Sequence, residues 1–294
     1  MAARLNELIV VFVSIVLQSL PFVEVGVFAS AVVQNFLSAQ HVVRWMPRRT
    51  LPGVLLGASF GLVAPVCDCG VVPLARRLVA KGVPLPAAVS LMLAAPVINP
   101  IVLVATGLAF QGNLGVVAVR AAMTLSVAVS VGLLVGRLFP EARLNLPGLL
   151  VAVEAKDGPP RRWSAIGHQA SAELFDVLFF IILGALVTAA IQTFIPRSSL
   201  LAFGGQPVAS VAALMPLASV LSICSEADAF VARAFSPAFA PGAILAFLTI
   251  GQVVDLRNGP LLFRTLGGGL FGLIVGVGYG LVLLEGICLN LLLA

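Results

Sequence analysis

A chain of 294 residues that is 60% hydrophobic and only 10% charged, with a mean hydropathy of +1.13, is excluded from the soluble globular class, where about 45–50% apolar and 25% charged residues are usual. Its formal charge of +5 does not point to nucleic acid, because membrane chains concentrate Lys and Arg in cytoplasmic loops. The short segments of alternating polarity that mark a transmembrane β-barrel are missing, so an all-α integral membrane protein is expected.

The first apolar run, residues 8–36, exceeds the roughly 20 residues a helix needs to cross the hydrocarbon core. Arg4 ahead of it and Ala29 and Ala31 inside it also fit a cleavable signal sequence, but the repeat described below argues that the segment is retained. A basic loop follows, with Arg44, Arg48 and Arg49. Residues 51–80 then contain "APVCDCGVVP". Pro65 and Pro73 each remove a backbone donor and Gly70 relaxes the chain, so a helix break with its tip at the cysteines is expected. A full crossing by residues 51–66 would drive Arg76, Arg77 and Lys81 outside. A re-entrant hairpin keeps both basic clusters on the cytoplasmic side. Two further runs, 86–110 and 114–138, complete this half, the first interrupted by "APVINP" around Asn99.

Residues 141–170 include Pro159, Pro160, Arg161 and Arg162 and read as a water-exposed cytoplasmic linker. His168 inside it and His41 in the earlier loop read as solvated surface histidines. Runs 174–195 and 265–293 follow.

The second half echoes the first. "FVEVGVFASAVVQNF" from Phe22 lies on "FIILGALVTAAIQTF" from Phe180 at an offset of 158, pairing Gly26 with Gly184 and Gln34 with Gln192. "CDCGVVPLARRLVAKGVP" from Cys67 lies on "CSEADAFVARAFSPAFAP" from Cys224 at an offset of 157, pairing Arg76 with Arg233 and Pro84 with Pro241. The interruption at Asn99 has a counterpart in "GQVVDLRNGP" around Asp255. The expected organisation is a first membrane repeat 1–140, the linker 141–170 and a second membrane repeat 171–294. Each repeat would carry about three transmembrane helices plus one broken or re-entrant hairpin. An odd number of crossings makes the two antiparallel, the inverted repeat of many secondary transporters.

Polar groups at membrane depth are expensive, so they mark sites. On a continuous helix Cys67 and Cys69 would point about 200° apart. They converge on one ligand only where the helix breaks. The second tip brings Cys224, Ser225, Glu226 and Asp228 from the opposite face. Cys67, Cys69 and Cys224 supply soft thiol ligands suited to a soft transported ion. Asp68, Asn99, Ser225 and Glu226 complete a substrate-binding set, while Glu226, Asp228 and Asp255 are candidates for ion coupling. The competing structural reading pairs Asp228 with Arg233 and Asp255 with Arg257. Cys288 stands alone and reads as a small hydrophobe; Glu24 and Glu285 lie in apolar runs and could line a path. No disulfide framework, resident cofactor or phosphate-binding loop is present in the sequence, so an ATP-driven pump would need a separate subunit.

At "PVCDCGVVPLARRLVAKGVPLPAAVSLMLAAPVINP" the chain resembles the predicted-permease family that includes the trivalent organoarsenical efflux permeases, through its Cys-x-Cys before Pro73, Gly82-x-Pro84 and Pro96-x-x-Asn99-Pro100. "SICSEADAFVARAF" and "DLRNGP" extend the resemblance into the second half. It implies a multi-pass plasma-membrane permease, in the arsenical branch an exporter of methylated or aromatic As(III). Ser225 and Glu226 depart from the second small polar or thiol residue that family members often carry there, which leaves room for a metal cation.

The expected function is therefore a secondary-active permease, not an enzyme, exporting a soft metal or metalloid species. Its partners are that small-molecule or metalloid substrate and membrane lipid, with no nucleic acid; a homo-oligomer is left open. A membrane thiol-disulfide redox protein, a permease for an unrelated small solute and a non-transporting scaffold are the alternatives. The redox reading is disfavoured because reactive dithiols more often use C-x-x-C.

Overall fold

Apolar stretches this long must satisfy their backbone donors internally, and they do so as helices. The computed structural model describes residues 49–62, 66, 68–139, 206–225, 227–236 and 238–293, with scattered positions within 6–24 and 175–190. Cys67, Glu226, His41, His168, the linker 141–170 and most of runs 8–36 and 174–195 lie outside the described residues, as does the side chain of Cys69. Every regular element among the described residues is a helix.

In the first half these are α1 (Thr50–Phe60), α2 (Asp68–Ala80), α3 (Leu85–Ile98), α4 (Pro100–Ala109) and α5 (Leu114–Leu138). In the second they are α6 (Pro207–Leu221), α7 (Asp228–Phe235), α8 (Pro241–Val253), α9 (Gly259–Leu266) and α10 (Gly268–Leu293). Three stretches have the length and apolarity to cross a membrane: Leu85–Ala109, Leu114–Leu138 and Gly268–Leu292.

The packing order recurs. α3 lies between α1 and α5, and α8 lies between α6 and α10. α3 is buried from Ala87 to Ile98 and α8 from Gly242 to Val253, as expected of helices that are apolar all round. Across the halves α2 meets α9, α4 meets α7, α3 meets α8 and α5 meets α10. The outward faces carry exposed aliphatic side chains such as Val104, Leu108, Leu284 and Leu291, which suit contact with lipid tails.

Both central helices are interrupted where the sequence is polar. Asn99 adopts an extended conformation (ψ 150°), as a residue before proline prefers. Its Oδ1 accepts from the Val102 amide at 2.9 Å and its Nδ2 donates to the Pro96 carbonyl at 3.4 Å. The second bond replaces the donor that Pro100 lacks. In the other half α8 ends at an extended Val254 (φ −143°, ψ 109°). Asp255 Oδ1 accepts from the Asn258 amide at 2.5 Å and restarts the chain as α9.

The part expected of Gly70 and Pro73 in breaking the helix at the cysteines is corrected, while Pro65 and Cys67 lie outside the described residues. Gly70 and Pro73 lie inside α2, and the interruption sits ahead of Asp68. The physical reason is position: Gly70 falls in the first turn, where backbone donors have no intrahelical partner anyway, so the helix tolerates it there and loses one bond at Pro73. The turn after α2 carries Lys81, whose ammonium is pushed below its ordinary range by partial burial and then by Arg77.

Side-chain ties hold the helix ends. Ser90 Oγ donates to the Val54 carbonyl at 3.0 Å, joining α3 to α1. Asn290 on α10 accepts from the Gly242 amide at 2.7 Å and donates to the Pro207 carbonyl at 2.8 Å, tying α8 and α6 together. Asn290→Leu strips a buried partner from both backbone groups and should cost about 2 kcal/mol; denaturant unfolding in detergent micelles checks it.

Candidate functional site

The polar groups that the fold buries gather where the two halves meet. Arg120, in the second turn of α5 and fully buried, donates through Nη2 to Asp228 Oδ2 at 2.6 Å and through Nη1 to Thr106 Oγ1 of α4 at 2.6 Å. The same Asp228 oxygen accepts from Gln252 Nε2 of α8 at 2.9 Å. A cation from the first half thus neutralises the acid that begins α7. The competing reading that pairs Asp228 with Arg233 is not found: Asp228 is paired with Arg120. Five residues apart on one helix, the two side chains point about 140° away from each other. The Arg233 guanidinium instead lies 5.9 Å from the centre of the Phe110 ring.

Asp68, which begins α2, has the reciprocal relation. Its carboxylate lies 3.9 Å from Arg257 Nη2, a group of the second half, and Asp255 Oδ2 lies 3.5 Å from the same nitrogen. The pairing of Asp255 with Arg257 is therefore found. Each half sends a helix-initiating acid to a guanidinium of the other.

Beside Asp68 and Asp255 is a small cavity of about 20 Å³, room for one water-sized occupant. Asp68, Gln252, Asp255 and Asn258 are its polar lining, and Val72, Met92 and Ile274 are among its apolar walls. It is built from α2 and α3 on one side and from α8, α9 and α10 on the other.

Among the other residues singled out from the sequence, Asn99 is buried and its side chain is committed to capping α4. Cys224 is buried, and its carbonyl accepts from the Ala227 and Asp228 amides that open α7. Ser225 is fully buried, and its hydroxyl has no hydrogen-bond partner among the described residues. Gln252 holds this turn in place by donating to the Ile223 carbonyl at 3.3 Å. Cys69 lies in the first turn of α2, next to Asp68. Glu285 accepts from Ser126 of α5, which closes α5 onto α10, and Glu24 is exposed. Among the described residues no three His, Cys, Asp or Glu side chains gather into a metal-binding group.

Arg120, Thr106, Gln252 and Asn258 were not singled out from the sequence. Arg120 carried a usable signal, since an arginine well inside the apolar run 114–138 must find a partner. Gln252 and Asn258 carried only their place beside Asp255.

A family model described as "Predicted permease" matches residues 4–291. UPF0718 protein YcgR of Bacillus subtilis is 40% identical over 258 residues, which cover 84% of this chain and 85% of that protein. A Streptococcus mutans protein named "Putative two-component membrane permease complex subunit" is 33% identical over 255 residues, 86% of this chain and 84% of its own. No solved structure matches the chain.

Proposed function

Because this chain belongs to the predicted-permease family, we propose that it is a secondary-active exporter of a soft metal or metalloid species such as trivalent organoarsenicals, working by alternating access from the plasma membrane. The observation that carries the reading is the reciprocal arrangement of buried charge: two interrupted central helices, two acid-initiated helices and a polar cavity lie at the junction of the halves. A protein with no ligand to hold at that depth has no use for such groups. Two structurally parallel halves meeting around a midplane site is how many secondary transporters are organised. The recurrence of packing order and of cross-half contacts supports an inverted repeat, 1–140 and 171–294, joined by a cytoplasmic linker, with residues 51–80 as a re-entrant hairpin.

In this reading Cys67 and Cys69 capture the cargo, and Cys224, Ser225 and Glu226 receive it from the facing tip. Mono-organo As(III) has two exchangeable positions and thiolates are soft ligands, so a pair of these cysteines suits it. Asp255 and Asp68 serve ion coupling. Asp228 is matched one for one by Arg120, which gives it a structural share in holding the halves together. The name of the Streptococcus mutans relative raises a partner chain as a further component.

Uptake of methylarsenite, Zn(II) and Cu(I) into everted vesicles tests the assignment. Gradient-dependent accumulation of one of them is expected, and Cys67→Ser with Cys69→Ser should lower it by roughly 10–100-fold, at least what loss of an outer-shell ligand partner costs. Undiminished transport by that variant would remove the thiols from the mechanism. A permease for an unrelated small solute is the competing reading, favoured by the carboxylate and amide lining of the cavity, which includes no thiol among the described residues. It predicts that none of the three accumulates.

A further inference from the structure

We propose that Glu285 of α10 and Ser126 of α5 form a proton-binding site inside the bilayer, where the two halves touch, and that its proton is exchanged for cargo. The exchange rests on the permease reading above; the proton site stands without it.

Ser126 is the midpoint of the crossing Leu114–Leu138, and Glu285 lies five residues beyond the midpoint of Gly268–Leu292, about 7.5 Å along the helix axis. Both positions fall well inside a hydrocarbon core of about 30 Å. Glu285 is half-buried, and its Oε2 is closed to solvent with no hydrogen-bond partner among the described residues. Asp228 has Arg120, and Asp68 and Asp255 have Arg257. Among the described residues Glu285 forms no ion pair; one hydroxyl is its whole polar company. An ionised carboxylate so placed takes up a proton rather than keep its charge.

The hydrogen count agrees. Ser126 Oγ donates to the Met123 carbonyl at 2.7 Å and is also bonded to Glu285 Oε1, yet a hydroxyl has one hydrogen to give. A charged Glu285 takes that hydrogen and leaves the Met123 contact unmade. A protonated Glu285 donates its own hydrogen to Ser126 Oγ, whose hydrogen then turns to Met123, and both contacts are filled. Uptake thus adds one proton at Oε1 and rotates one hydroxyl; release returns the proton to water and reverses the rotation. The bond from α10 to α5 persists in both forms with its direction exchanged.

The titratable groups on the helices around the site are placed elsewhere. Among the described residues α10 packs against α5, α6, α8 and α9, and α6 and α8 carry no titratable side chain. Arg137 of α5 and Arg264 of α9 lie in the last turns of their helices, and Arg120 is committed to Asp228. On α10 itself Tyr279 is bonded to Ser219, and Cys288 is exposed. Glu285 is therefore the one carboxyl of this contact, and it lies between helices of opposite halves. Alternating access moves one half against the other. When α5 and α10 part, the carboxyl meets water and exchanges its proton.

The test uses the purified full chain in lipid. Its infrared spectrum at neutral pH is compared with that of Glu285→Gln, which keeps the shape and cannot titrate. The difference should contain the carbonyl band of a protonated carboxylic acid, sensitive to D2O. If Glu285→Gln fails to fold, Ser126→Ala decides: it removes the acceptor of the acid proton and should displace the band. In proteoliposomes with an acid interior, a gradient of about one pH unit should drive steady-state accumulation of methylarsenite up to about tenfold, the free energy one proton carries. Glu285→Gln should abolish that accumulation, a ratio that slower turnover does not alter. A difference spectrum without an acid band, or a band unmoved by Ser126→Ala, would overturn the proton site and make Glu285 a charged acceptor of Ser126. Accumulation undiminished in Glu285→Gln would overturn the exchange. An acid band with no methylarsenite counterflow, measured without a gradient, upholds the proton site and overturns the cargo assignment. Counterflow with no acid band overturns the proton site and leaves the permease reading intact.

Discussion

Arg120→Met should lower the unfolding free energy by about 3–5 kcal/mol, the usual cost of removing one partner from a buried ion pair. The guanidinium is fully buried and Asp228 is 2% exposed. Without it the carboxylate is held where water cannot replace the lost partner, and Thr106 loses the donor at 2.6 Å. Asp228→Leu should be comparably costly, because the guanidinium is then the stranded charge. The double variant, Arg120→Met with Asp228→Leu, should recover most of the loss, since an apolar pair of similar volume avoids both desolvation penalties. Arg120→Lys should fall between, keeping the charge but losing the fork that reaches Asp228 and Thr106 together. Denaturant unfolding in micelles checks the series. A double variant no more stable than the singles would mean that packing, not charge, is the main contribution of these side chains.

Gly242→Ala is the second large effect. A Cβ built at Gly242 would lie 2.2 Å from the Gly286 carbonyl oxygen of α10 and 2.6 Å from Asn290 Oδ1. The first obstacle is backbone, which cannot rotate away, so α8 and α10 must separate. Small residues that let helix backbones touch are a main source of association in membranes, where no hydrophobic force draws helices together. Gly57→Ala meets the same obstacle between α1 and α3, with the Ala87 carbonyl oxygen at 2.3 Å. Each substitution should cost about 3 kcal/mol, the upper end of ordinary overpacking. Gly272→Ala on α10, where a Cβ meets nothing within 4 Å among the described residues, is the control and should be neutral or stabilising by up to about 1 kcal/mol. Thermal midpoints of the three variants settle the comparison. A Gly242→Ala midpoint equal to that of Gly272→Ala would show that α8 and α10 have room to adjust.

Much of the architecture could be read without coordinates because it follows from local chemistry. Hydropathy over 114–138 and 265–293 predicts helices, and α5 and α10 occupy nearly those bounds. Asn99 ahead of Pro100 and the polar run around Asp255 predict interruptions, and both central helices break there. The tip at Cys67 was read less well. Proline and glycine were taken as the break itself, yet a helix accommodates Gly70 in its first turn and runs through Pro73.

What the sequence determined by itself, then, is an all-helical membrane protein with polar breaks in its apolar runs, since each depends on residue type and on neighbours a few positions away. Only the tertiary structure decided which charges neutralise which. Arg120 and Asp228 are 108 residues apart in sequence, and Asp68 and Arg257 lie in opposite halves; a local reading supplied Arg233 as the partner of Asp228 because proximity along the chain was all it had. At membrane depth the choice of partner depends on which helix faces meet, and on the low dielectric that makes an unpaired charge intolerable there.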